Sequence, residues 1–388
     1  MISSGAIIRI PSPIDVHAHL REPGGTTEET IASGTLAAAA GGYQALFDMP
    51  NNPGGNETLT EERLDEKVKI ARDTAYIDTG FYAGVNLEDP AFDEFPALTG
   101  KAAGLKLYMG HTTGNTVERD FDDAGQVIHE WILQSRRIGK RPPILLHARE
   151  EVGAETARYI AEARYPVHWC HISTATEVDA ARTLSHDFPE HYTGGVTPHH
   201  LTMTQRNADF QQGWNGARMQ PPLGSEVDAD KLLDAYNRGH IQILETDHAP
   251  HTQFDKLRAE ARNPEGDTEA DCVTCFGVSG IEFVLPVMMS LVQRRKTSLE
   301  RVVDSLRAQP MKMLGLKEDP NFSWTTELQI HPYTITEAHI IGKSSNTPYV
   351  GWTAWAQVVE EAMGRYRKGG VRGTGPGYSR ILSNGMKI

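Results

Sequence analysis

Short apolar runs of strand length alternate along the chain with stretches in which apolar residues recur every three or four positions. The runs are IDVHAHL (14–20), YQALFDMPN (43–51), IDTGFYAGV (77–85), GLKLYMG (104–110), PILLHARE (143–150), VHWCHIST (167–174), TGGVTPHHL (193–201) and IQILETDHAPH (241–251). Between them TEERLDEKVKIARD, DAGQVIHEWILQSRR, EVGAETARYIAEAR and TATEVDAARTLSHD carry helical spacing. In TTEETIASGTLAAAAGG, Thr26 stands three residues before Glu29, a capping-box pattern ahead of an alanine-rich run that ends at a glycine pair. Repeated strand–helix alternation predicts an α/β fold, a (β/α)8 barrel, with an open doubly wound sheet as its rival. Beyond residue 310 the rhythm gives way to Thr-, Tyr-, Trp- and Pro-rich short β segments, and the Gly-rich basic end RKGGVRGTGPGYSRILSNGMKI predicts mostly irregular chain. The expected division is a short β segment at 1–13, the barrel at 14–310 and a small, mainly C-terminal β appendage at 311–388.

Composition removes several classes of function. A net charge of −13 argues against a general nucleic-acid or acidic-membrane binder. The longest apolar run, FVLPVMMSLV at 283–292, is too short to span a bilayer and contains a proline. The start MISSGAIIRIPSP lacks the basic and apolar regions of a signal peptide. Three cysteines make a disulfide framework an unlikely scaffold and the reducing cytoplasm the default compartment. Cys272 and Cys275 form a lone C-x-x-C that no second pair completes, so it is assigned no zinc or redox role.

The sixteen histidines matter through their placement. His17 and His19 end the first run at i, i+2; His147 ends the fifth, His171 the sixth and Asp247 the eighth. The C-terminal strand ends of a barrel converge on one mouth, where active sites sit. Four imidazoles and a carboxylate aimed at one point suit zinc or a similar divalent ion. They are too many for one catalytic zinc and too few for two ions without a bridge. Lys106, inside the fourth run, is an awkward neighbour, because a buried ammonium needs a partner. Three readings stay open for it. It could snorkel to solvent; it could pair with a carboxylate such as Asp247, which local chemistry alone ranks first; or it could have reacted with CO2 to give a bridging carbamate.

Taken in order, DVHAHLREPG, MPNNP, LKLYMG, LLHARE, VHWCHIS, TPHHL and TDHAPH resemble the dihydroorotases of the amidohydrolase superfamily, over about residues 11–360 and including the late GKSSNTPYVGW. The resemblance implies that His17, His19 and Asp247 bind the more buried of two divalent ions, taken as Zn2+. His147 and His171 would bind the second, and carboxylated Lys106 would bridge the two together with a hydroxide. Asp247 would serve as general acid and base. Arg21, Asn51 and His251 would contact the substrate, together with Thr112 from a loop that closes over it; relatives place an apolar residue where this chain has Thr113. Gln220 stands where relatives carry Asn or Arg, and neighbouring Arg218 could take its place. His199 and His200 are expected to be structural.

The implied reaction is the interconversion of dihydroorotate and N-carbamoyl aspartate in pyrimidine synthesis. A small-molecule substrate, a homodimer and association with aspartate transcarbamoylase are the implied partners. Two other readings compete. A neutral cyclic amide such as allantoin or a hydantoin would leave Arg21 nothing to bind. A non-catalytic scaffold would be expected to lose metal ligands, and this chain retains all six.

Overall fold

The computed structural model describes residues 1–110, 119–206, 218–256, 275–318, 324–359, 380–384 and 386. Each predicted run contains a strand: β2 (Ile14–Ala18), β3 (Ala45–Asp48), β4 (Asp78–Phe81), β5 (Leu105–Tyr108), β6 (Ile144–His147), β7 (Val167–Trp169), β8 (Tyr192–Val196) and β9 (Ile243–Leu244). Strands β2–β4 pair in parallel, as do β5–β9. Two seams join these sheets. Ala83 bridges Leu105, with Lys106 N donating to Ala83 O at 2.8 Å, and Ala18 bridges His248, with His19 N donating to His248 O at 2.8 Å. The parallel ring therefore closes on itself, and the open-sheet rival is excluded.

The helices are α1 (Ile31–Ala40), α2 (Glu61–Thr74), α3 (Phe95–Lys101), α4 (Phe121–Arg137), α5 (Glu150–Glu162), α6 (Ala175–Asp187), α7 (Pro198–Thr202), α8 (Glu226–Asn237), α9 (Val284–Gln293), α10 (Leu299–Leu306) and α11 (Ala308–Leu314). Side-chain alternation sorts each barrel strand into two faces. Ile14, Val16, Phe47, Leu145, Cys170 and Ile243 belong to one apolar cluster with Met311, Leu314 and Leu382. Leu46, Leu105, Leu107, Leu146 and Trp169 belong to another, with Ile128, Trp131, Ile160 and Leu184 of the surrounding helices. Because Leu105 and Leu107 face the helices, Lys106 faces the barrel interior.

One local expectation is corrected. Thr26 does not cap α1: Thr30 does, accepting from Ser33 N in a reciprocal box with the Ser33 hydroxyl. Glu29, which the motif needed at N3, is instead a fully buried carboxylate that receives Lys343 N and lies 3.4 Å from His248 Nε2. Within the chain end, expected to be mostly irregular, one short element is paired. Strand β12 (Ile381–Leu382) adds in parallel to β4, and Arg380 grips Asp78 at 2.5 Å. Two residues of strand leave no periodic signal, so only the pairing partner reveals them.

Strand β1 (Ile7–Pro11) runs antiparallel to β10 (Thr325–Thr334), which pairs with β11 (Thr353–Val358). The N- and C-terminal segments thus form one small sheet beside the barrel. Among the described residues, no helix is long and apolar enough to cross a membrane.

Candidate active site

The register of β2 against β3 shifts between Asp15 and Ala18. Before the shift, Ile14 and Val16 lie with the barrel interior; after it, Ala18 and Leu20 lie with the helix-facing cluster. A bulge of this kind re-aims side chains, here turning His17 and His19 into the mouth. The segment after β9 is pinned from the same place. Asp15 Oδ2 accepts from Thr246 Oγ1 at 2.6 Å, Asp15 Oδ1 accepts from Thr246 N at 3.0 Å, and Thr246 Oγ1 accepts from His248 N at 2.9 Å. These contacts clamp Asp247, whose φ of 44° lies in the left-handed region. His171 (φ 36°) and Arg21 (φ 60°) share that unfavourable region, and held strain of this sort clusters at functional sites.

His17, His19, Asn51, His147, His171, Gln220, Asp247 and Arg21 all line one cleft, with Tyr108 and Phe276. Asp247 Oδ1 stands 3.2 Å from His19 Nε2 and 3.4 Å from His17 Nε2. His147 Nδ1 and His171 Nε2 are 2.9 Å apart. Asn51 Oδ1 lies 2.8 Å from His19 Nδ1, which directs the other ring nitrogen at Asp247. Burial holds His19 down to about 3 and His171 well below the ordinary range, so both rings are neutral and carry lone pairs. Burial and the Lys106 ammonium also oppose charging His17, but Asp247 and Glu245 outweigh them and push it up to about 10. A field that strong for a proton is also a field for a metal cation. His17, His19 and Asp247 form one set of three donors that could hold one; His17, Cys170 and Glu245 form another. A larger cavity of about 620 Å³ beside Trp352 and Arg294 gathers none of these groups.

Arg21 is not on the surface. It is 3% exposed and, among the described residues, makes no ion pair with a carboxylate. Its Nε donates to Pro250 O at 3.3 Å, and its Nη2 lies 3.2 Å from His251 Nε2. His251 itself stays neutral through burial and the nearby Arg21 and Lys256 charges. Gln220 precedes Pro221, whose carbonyl lies 3.2 Å from His200 Nε2; His200 thereby supports the mouth from behind. Thr112, Thr113 and Cys272 lie outside the described residues. Cys275 donates to Asp255 O, a local contact.

Lys106 is fully buried, so it does not snorkel. Nor does it pair with Asp247: its Nζ lies 3.1 Å from Cys170 Sγ and 5.3 Å from the Tyr108 ring centroid. Both ordinary explanations for this lysine fail. Around it is a polar layer that sequence reading overlooked. Lys106, Leu145, His168 and Thr193 are in register across β5–β8. His168 bonds Glu245 Oε2 at 3.0 Å and Thr193 Oγ1 at 2.9 Å, while Glu245 Oε1 accepts from His171 N at 2.5 Å. Burial opposes both charges of this pair, yet Glu245 lifts His168 to about 9, and His17 followed by His168 holds Glu245 well below the usual range. Strand parity carried the signal, since Glu245 shares a face with Asp247 and His168 with Cys170.

Gly195 makes room for the pair. A Cβ there would meet Glu245 Oε1 at 2.4 Å and His168 Nε2 at 2.9 Å. Gly195→Ala is therefore expected to cost about 1–3 kcal/mol by overpacking. Chemical denaturation measures it, and an unchanged midpoint would show that the pair can shift freely.

A dihydro-orotase-like family model matches residues 6–116. The dihydroorotase of Bacillus caldolyticus is 30% identical over 393 residues, spanning 91% of this chain and 85% of that protein. The chain belongs to the dihydroorotase family. The multifunctional protein CAD of Squalus acanthias is 29% identical over 373 residues; that match takes in 96% of this chain but spans 15% of the longer protein. In fold, the dihydropyrimidinase of Brevibacillus agri superposes with a TM-score of 0.75 at 19% identity, over 98% of this chain and 88% of that one. Family membership agrees with the ordered motifs, and the structural likeness with the closed barrel.

Proposed function

We propose that the protein is a dihydroorotase that opens and recloses the dihydropyrimidine ring, interconverting dihydroorotate and N-carbamoyl aspartate in pyrimidine synthesis. The observation that carries the reading is the buried Arg21 guanidinium, without an ion-paired carboxylate among the described residues, lining the same cleft as Asp247 and four histidines. A buried cation of that kind is an anion receptor, and its planar fork suits a carboxylate.

The donor set fits divalent cations: the imidazoles of His19 and His171, which burial keeps neutral; the His171 Nδ1 atom, without a hydrogen-bond partner among the described residues; His17, whose neighbouring carboxylates favour a proton and would favour a metal cation in its place; and the anionic Asp247. In this reading His17, His19 and Asp247 would hold one Zn2+ and His147 and His171 a second, and Lys106, as a CO2-derived carbamate, would supply a further anionic ligand to them. Bound there, the ions would polarise the ring carbonyl and make water more acidic.

The protein's own groups do the rest. Asp247 remains anionic at neutral pH and accepts a proton from the attacking water. As the new C–O bond forms and the ring C–N bond breaks, that proton passes to the leaving nitrogen. Ring closure runs the same transfer in reverse. Arg21, with Asn51 and His251, holds the substrate carboxylate so that the scissile amide faces Asp247, and Gln220 lines the same cleft.

Zinc-loaded protein is expected to turn over both compounds, and failure on both would overturn the reading. Arg21→Met should raise KM for dihydroorotate by roughly 10- to 100-fold, the loss of a charge-assisted contact worth about 1.5–3 kcal/mol. If KM is unchanged, the carboxylate binds elsewhere. A wild-type preference for a neutral hydantoin would shift the substrate class instead.

A further inference from the structure

His251 Nε2 makes two contacts that ask opposite things of it. Arg21 Nη2, a donor, lies 3.2 Å away, and the Phe276 carbonyl, an acceptor, lies 2.8 Å away. Burial and the Arg21 and Lys256 charges keep the ring neutral, so one nitrogen is an N–H and the other a lone pair. With the proton on Nε2, Phe276 O is served and two N–H groups collide at Arg21. With the proton on Nδ1, Arg21 donates to a lone pair and the bond to Phe276 O is given up. The Arg21 contact is charge-assisted but long, the Phe276 contact neutral but short, so Nε2 alone leaves the tautomer undecided.

The group at Nδ1 decides it, and that group is Glu28. Nδ1 is buried without a hydrogen bond among the described residues, and Glu28 Oε1 is 4.0 Å from it. The chain folds back to put the carboxylate there: Gly25 N donates to Arg21 O at 2.8 Å, and Glu28 N to Gly25 O at 3.0 Å. A Cβ on Gly25 would meet Glu28 Oε2 at 2.7 Å and Arg21 Cβ at 2.9 Å, so glycine keeps that place open. The Glu28 side chain is 19% exposed, and a rotation moving its tip by about 1 Å closes the gap to hydrogen-bond length. Burial raises its carboxyl, Arg21 draws it back towards the anion, and Asp255 is a smaller opposing charge.

We propose that Glu28 is a positioning residue: it holds the His251 proton on Nδ1, so that the Nε2 lone pair receives Arg21 and fixes the guanidinium for the substrate carboxylate. The proposal rests on the reading of Arg21 as the carboxylate receptor, and the part of His251 in that grip then runs through Arg21. No proton is gained or lost; only its place on the ring changes.

The test is a long-range 15N–1H correlation spectrum of the imidazoles in full-length protein, without substrate, at mildly alkaline pH. His251 is identified by the signals missing from His251→Gln or, if that variant does not fold, by the ring perturbed in Arg21→Met. The wild type is expected to show a protonated Nδ1 and a bare Nε2. Glu28→Met should reverse that pattern, changing the tautomer ratio by about tenfold or more, the scale of one charge-assisted contact. Glu28→Gln, which keeps the shape and one acceptor, should fall between. In turnover, Glu28→Met should raise KM for dihydroorotate by about three- to tenfold with kcat nearly unchanged, the mark of lost binding alone. A charge acting only through space would do the reverse, because removing an anion near Arg21 strengthens anion binding. A lowered or unchanged KM in Glu28→Met, or a tautomer that does not move, overturns the proposal. The carboxylate reading fails separately, when Arg21→Met leaves KM unchanged.

Discussion

Lys106→Ala is expected to lose bound metal and activity together. The lysine is fully buried, points into the barrel interior and has no carboxylate in ion-pair contact among the described residues. Left as an ammonium beneath the donors of the cleft, it would repel the ions those donors suit. As a carbamate it would instead be an anionic ligand for those ions, which is the role proposed above. Removing it should lower zinc content below two per chain and cut kcat by about three orders of magnitude, because Lewis-acid stabilisation is worth several kcal/mol and each 1.4 is tenfold. Metal analysis and turnover on the same sample measure both, and a short added carboxylate should restore part of each. A variant that keeps two ions and its rate would show that the lysine does not bridge.

Lys67→Met should cost the fold about 3–5 kcal/mol, the usual penalty for leaving a buried charge without its partner. Lys67 and Asp48 are both buried, with Nζ 2.5 Å from Oδ2. The ammonium also donates to Met49 O at 3.1 Å and Asn52 Oδ1 at 2.9 Å. Asp48 in turn accepts from Leu20 N at 2.8 Å, and Asn52 Nδ2 donates to Pro23 O at 3.1 Å. One buried lysine therefore ties together the segments that present Asn51 and Arg21. A lower urea midpoint is expected, with a raised KM for dihydroorotate in the fraction that folds. Adding Asp48→Asn should recover part of the stability, since no bare carboxylate then remains. A single variant within about 1 kcal/mol of wild type would mean water reaches the carboxylate.

Lys67 also shows how much was legible in advance. Leu64, Lys67 and Ala71 share the buried face of α2, and the helical spacing was plain, but a lysine in that stripe reads as a solvated edge. Its partner is nineteen residues away on another element, and no local pattern announces it. The interior layer escaped for a similar reason. Glu245 and His168 are 77 residues apart and become a pair only when the ring of strands closes. The cap of α1 was misplaced because Glu29 fits the local motif, while tertiary contacts with His248 and Lys343 claim it.

By itself the sequence determined the strand–helix rhythm, the placement of His17, His19, His147, His171 and Asp247 at strand ends, and the ordered motifs of the family. These are short-range properties: periodicity, parity and residue type within a few positions. Tertiary structure alone decided that the two sheets close through Ala83–Leu105 and Ala18–His248, and that a bulge turns His17 and His19 into the mouth. It also decided that Arg21 is buried, with no ion-paired carboxylate among the described residues, and that Lys106 lies against Cys170. Those outcomes depend on contacts between residues far apart in the chain, where burial, and not local pattern, sets the cost of every unpaired charge.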